Sequence, residues 1–151
     1  MAIVQATQVF KMNQEIELLL LETLSLPQDS ARDHRLVRLL RKALPEERFE
    51  LLDKLLEQKC HNALTIIKSI GDAHTCFALL AKHLPKADAS SVKFLLRLAV
   101  DVIGEKKLSM LIIEIATKTP RFWEFASYWI PSMVSSNTWG DLLRKMNKIQ
   151  Q

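Results

Sequence analysis

With 151 residues, 48% of them apolar and 25% charged, the chain is long enough to bury one hydrophobic core and ordinary enough in composition for a globular fold. Its net charge of +4 permits anionic partners but falls short of what a dedicated nucleic-acid arm carries. Three glycines stand where about ten are usual at this length, which counts against turn-rich folds and glycine-lined phosphate loops.

Leucine, lysine and glutamate dominate, a bias toward helix over strand. Helical spacing of apolar residues predicts a first helix over 2–25. That segment lacks the basic start and small-residue cleavage site of a signal peptide, and its longest apolar run, Leu18 to Leu21, is too short to cross a bilayer. A second helix is predicted over 30–43, capped by Asp29 or Ser30, with Asp33 in its first turn. Arg35, Arg38, Arg41, Lys42 and His34 share one face of it, while Leu36, Val37, Leu40 and Leu44 share the other. The basic face suits an anionic ligand such as RNA, DNA, a lipid headgroup or an acidic partner. The competing reading is intramolecular. Pro45 opens a third helix, 46–58, whose Glu46, Glu47, Glu50, Asp53 and Glu57 would fold back to pair with those arginines.

A fourth helix is expected over 62–70 and a fifth over 73–84. Gly71 and Gly104 stand where left-handed helix ends are wanted. Around the fourth and fifth helices cluster Cys60, His61, His74, Cys76 and His83, the candidate soft metal ligands. None is spaced as in a structural zinc site, so a buried thiol and surface imidazoles are expected and no metal. Two cysteines outside any CxxC pattern point to a reducing compartment, cytoplasm or nucleus.

The sixth and seventh helices, over 89–103 and 105–118, read as the most buried layer. Lys93, Arg97 and Asp101 form one polar stripe, and Glu114 stands isolated among Met110, Leu111, Ile113 and Ile115. A buried Glu114 would be a general acid or base with a raised pKa, or more simply the partner of Arg97. An eighth helix, 121–130, lies in PRFWEFASYWIP and holds five of the ten aromatic side chains. Phe122, Phe125, Ala126, Trp129 and Ile130 fall on one arc that should face the core. Trp123 sits at its edge and Tyr128 beyond it, rings suited to an interface. A terminal helix over 138–148 turns Trp139, Leu142, Leu143, Met146 and Ile149 to one side. It reads as a docked cap rather than a membrane-surface helix.

Residues 29–59 align without gaps on 88–118, with Asp29, Leu36, Arg38, Leu39, Glu46, Leu52 and Lys59 matched, which suggests an internal repeat of helical hairpins. LPKADASSVKFLLRLAVDVI resembles the turn and first helix of HEAT-type repeats. ALPEERFELLDKLLEQ and HLPKADASSVKFLLRLA are each similar to the Leu-Pro helix start of Rho GTPase-activating domains, whose arginine-finger loop and later Asn-Lys-Met stretch are absent here. Each likeness covers about one hairpin.

These readings imply an all-α fold of about eight or nine helices. It is expected as a stack of antiparallel hairpins, α-solenoid-like and HEAT-like, or as an irregular bundle, in a single domain over 1–151. A piece of a larger protein fits the sequence equally. The function expected is a non-enzymatic protein-interaction domain, an adaptor or scaffold, with Trp123 and Tyr128 as anchors and no catalytic residue or cofactor. The alternative is nucleic-acid or acidic-ligand binding through Arg35, Arg38, Arg41 and Lys42. A helical regulator of a GTPase is the second alternative.

Overall fold

A computed structural model describes residues 2–58 and 62–150, with side chains from residue 14 onward. Among the described residues there are nine α-helices and no strand. They are α1 (Ala2–Ser25), α2 (Ser30–Lys42), α3 (Pro45–Glu57), α4 (Ala63–Ile70), α5 (Ala73–His83), α6 (Val92–Val102), α7 (Glu105–Lys118), α8 (Pro120–Trp129) and α9 (Ser136–Gln150). The all-α expectation and the helix count hold. No described helix is long and apolar enough to cross a membrane. Two compact units divide the chain, residues 1–70 and 71–151.

In the N-terminal unit, α2 packs on α1 and on α4, and α3 packs on α4. Asp29 caps α2 as its position predicts, accepting from the backbone N–H of Ala31 at 2.9 Å and of Arg32 at 3.2 Å. Leu36, Val37 and Leu40 are buried, as the helical wheel requires. Leu44 is not: it lies past the end of α2 in extended backbone, immediately before Pro45, and stays 59% exposed. Proline disfavours the helical conformation in the residue before it, and here Leu44 is extended and leaves the face that its spacing assigned. Arg32 is buried instead, and its guanidinium donates to the Pro27 carbonyl at 2.7 Å.

In the C-terminal unit, α6 packs on α5, α7 and α8, and α7 also packs on α8 and α9. Asp72 caps α5 through the N–H groups of His74 and Thr75. The start of α6 differs from expectation. Asp88 accepts from the backbone N–H groups of Ser90 and Ser91 and from the Ser90 hydroxyl, closing a turn of its own, and helix begins only at Val92. Those hydrogen bonds, first that from the Ser90 side chain, hold the Asp88 carboxyl at about 2. The layer α6–α7 buries Leu95, Leu96, Leu98, Leu108, Leu111, Ile112 and Ile115, as its composition suggests. Leu142 and Met146 dock α9 on the unit, while Ile149 remains exposed.

Between α6 and α7 the chain reverses at Gly104, where φ is +86° and ψ 167°. Only glycine enters that region without strain. A Cβ built there would touch nothing, so the cost of a side chain is conformational alone. Gly104→Ala is expected to lower stability by about 1–3 kcal/mol. Urea unfolding read by circular dichroism measures it, and an unchanged midpoint would show that the turn relaxes freely.

Candidate functional site

The sequence proposes two surfaces, one in each unit. The first is built by α6 and α8 in the C-terminal unit. Of the aromatic arc expected in the core, only Phe122 is buried, with Ala126 and Ile130 beside it. Phe125 and Trp129 are half-buried, which corrects their assignment to the core. A ten-residue helix packed against α6 and α7 cannot hide three large rings on one stripe, so two of them reach its rim. Tyr128 projects furthest, 75% exposed, and meets Trp129 in a perpendicular contact with 4.8 Å between ring centroids. From α6, Lys93 places its ammonium 4.8 Å from the Trp129 ring centre and 5.9 Å from that of Phe94. Phe94 is 57% exposed. On α8, the Arg121 guanidinium lies 5.6 Å from the centre of the Phe125 ring. Four aromatic rings and two stacked cations therefore share one solvent-facing surface.

Trp123, the other expected anchor, does not join this group. It is half-buried and stacks on Trp139 of α9, with centroids 5.9 Å apart and planes inclined by 21°. Its ring ties α8 to α9. Phe94 is the residue that sequence reasoning missed. Its neighbours Lys93 and Arg97 form a polar stripe in the sequence, and the ring sits on the edge of that stripe.

The second surface is the basic face of α2 in the N-terminal unit. Arg35, Arg38, Arg41, Lys42 and His34 are all exposed, as expected. Their partners are not the acidic residues of α3 that the sequence suggested. Arg35 pairs with Glu15 of α1 at 3.3 Å, both side chains being well exposed. Arg41 donates to the Ser69 carbonyl at the end of α4. The reason is topological: α2 lies against α1 and α4, so those helices face its flanks. Among the described residues, Arg38 and Lys42 form no hydrogen bond or ion pair. Arg38 stands in the wall of two crevices, one of about 580 Å³ toward α1, with Leu19, Leu26 and Glu22, and one of about 430 Å³ toward α4, with Asp33, Thr65 and Ser69.

Glu114 is exposed, which corrects its reading as a buried acid or base. The outward face of α7 carries it together with Met110. Among the described residues it has no ion pair, so the suggested bridge to Arg97 does not form. Cys60 and His61 lie outside the described residues. His74 is exposed, and Cys76 is fully buried and unpaired. Burial, and then the negative charge of Asp72, push the Cys76 thiol up to about 12. A thiol protonated so far above neutrality is a poor nucleophile and a poor metal ligand. In native protein at pH 8, Cys76 should resist iodoacetamide while urea-unfolded protein is labelled fully, as read from the mass of the peptide containing it. Equal labelling rates would show that the thiol is open to solvent.

No family model, curated protein or solved structure matches the chain.

Proposed function

We propose that this chain is a non-enzymatic protein-interaction domain, an adaptor or scaffold, that holds a protein partner on the α6–α8 surface. One observation carries the reading: Tyr128 and Phe94 expose large rings beside Trp129 and Lys93, which are already fixed by mutual contact. Exposed aromatic rings with rigid backing are what interface hot spots are made of, because little side-chain freedom is lost when a partner covers them. An apolar surface also needs a reason to remain in water.

A photoreactive benzophenone amino acid placed at Glu124, one turn from Tyr128, should capture a discrete partner in extract of the source organism. Affinity of that purified partner should then fall by about thirtyfold on Tyr128→Ala, the scale of a hot-spot residue, and stay unchanged on Arg35→Glu. The reverse pattern would move the site to α2.

The unpaired Arg38 between its two crevices favours a second reading, an anionic ligand on α2. Binding to nucleic acid there would weaken steeply with salt and be lost on Arg38→Glu. We also read 29–59 and 88–118 as copies of one ancestral unit. What supports this is a partial match in packing: α2 on α1 and α4 with α3 on α4, against α6 on α5 and α8 with α7 on α8, the packing of α6 on α7 being stronger than that of α2 on α3. A reducing compartment, cytoplasm or nucleus, is in keeping with the unpaired Cys76.

A further inference from the structure

The cations on the aromatic surface narrow the chemistry of its partner. We infer that the α6–α8 surface receives an acidic segment of a partner protein, with Asp or Glu carboxylates set between apolar side chains; this rests on reading the surface as a protein-binding site. Three cations line it. Lys93 is stacked against Trp129 and Phe94, Arg97 follows one turn later on α6, and Arg121 is stacked against Phe125. Among the described residues, none of the three makes a hydrogen bond or an ion pair. The only acidic residues of the two helices are Glu124, one turn from Arg121, and Asp101, one turn from Arg97 and two from Lys93, and neither pairs with these cations.

A cation held over a ring is positioned by the ring's electron density, which uses none of its N–H donors. Lys93 thus keeps three donors and Arg121 five, with the side chains already held in place. Carboxylates accept from such donors, and the bond is charge-assisted. Apolar side chains of the same segment would cover Phe94 and Tyr128.

Single-stranded nucleic acid is the competing anion, since its binders combine cations with aromatic platforms. Those platforms need open ring faces for bases to stack on. Here one face of Trp129 and one of Phe125 carry cations, both rings are half-buried, and Tyr128 stands perpendicular to Trp129. Of the four rings only Phe94 and Tyr128 stay mostly exposed, one on each helix, and with the N–H donors beside them they suit carboxylates and methyl groups better than a run of stacked bases.

The test is a display selection of random 16-residue peptides on the immobilised full chain, counter-selected on the Phe94→Ala/Tyr128→Ala variant. Enriched peptides should carry two or more Asp or Glu among apolar residues. Their affinity by fluorescence anisotropy should fall at least tenfold on Lys93→Ala/Arg97→Ala and remain on Arg35→Glu. The acid-to-amide versions of the same peptides should lose a similar factor. Enriched peptides without acidic residues, or unaffected by amide replacement, overturn the inference and leave the protein-binding surface standing. No enrichment over the counter-selected variant overturns both. Binding of a labelled 16-nucleotide oligouridine that depends on Tyr128 and Lys93 overturns both in favour of nucleic acid. Circular dichroism of each variant confirms that the fold is retained.

Discussion

Phe122→Ala should destabilise the C-terminal unit by about 3–5 kcal/mol, the usual cost of deleting a buried phenylalanine. Phe122 is 3% exposed and sits in the first turn of α8, which packs on α6 and α7. Its removal opens a cavity where two helix contacts meet, and the first turn, begun by Pro120, has little freedom to collapse into it. Trp123→Ala should cost less, since that ring is half-buried and its stack on Trp139 adds only about 0.5–1.5 kcal/mol to area burial. Tyr128→Ala should stay within about 0.5 kcal/mol, because the ring is mostly in water. All three tryptophans, 123, 129 and 139, belong to residues 71–151, so their fluorescence reports on this unit alone. At about 1–3 kcal/mol per molar urea, Phe122→Ala should move the tryptophan transition by more than about 1 M. A shift no larger than that of Tyr128→Ala would mean that α8 is not anchored through Phe122.

That ordering shows how far the aromatic segment could be read in advance. Helical spacing placed Phe122, Ala126 and Ile130 inside and Tyr128 outside, because a wheel orders side chains around an axis. It misplaced Phe125 and Trp129, because the width of the buried arc is set by neighbouring helices and not by the segment itself. The same limit explains the partners of α2. The sequence located its basic face, but chain adjacency suggested α3 as the neighbour, whereas α1 and α4 flank it. Helix ends were the most legible feature. Asp29, Pro45 and Gly71 act through their own backbone geometry and need no knowledge of the fold, and Gly104 has the positive φ expected of it, though with ψ at 167° it is extended rather than left-handed helical.

Caps made from a distance were not legible. Glu105, in the first turn of α7, receives the Ser135 backbone N–H at 2.5 Å and the Thr138 hydroxyl at 3.1 Å, closing the start of α9 from 30 residues away. Nothing near Ser135 in the sequence signals that acceptor. Phe94 was hidden in another way. Its exposure follows from the pairing of α6 with α5, α7 and α8, which leaves one flank of α6 uncovered. The candidate site therefore became visible only when two helices distant in sequence were brought side by side.

Arg48 supplies the second large effect, and it separates charge from geometry. Its Nε donates to the Leu40 carbonyl at 2.7 Å, and its Nη2 donates to those of Arg41 at 2.9 Å and Ala43 at 3.0 Å. These are carbonyls at the C-terminal end of α2 and its cap, where helical partners run out; that of Leu40 also accepts from the Ala43 N–H at 3.2 Å. One planar guanidinium thus closes α2 from the first turn of α3 and fixes the corner at Pro45. Hydrogen bonds to a charged group contribute about 1.5–3 kcal/mol each. Water can reach part of this half-buried site, so Arg48→Met should cost about that much in total rather than three times over. Arg48→Lys should recover less than half of the loss. The ammonium keeps the charge, and with it the attraction to the negative end of the α2 dipole. It lacks the fork that reaches three carbonyls at once. The N-terminal unit has no tryptophan, so the measurement is hydrogen exchange at the amides of α2, together with urea unfolding by circular dichroism. Full recovery with lysine would show that charge alone holds the corner. A wild-type exchange rate in Arg48→Met would show that water satisfies the end of α2 as well as the guanidinium does.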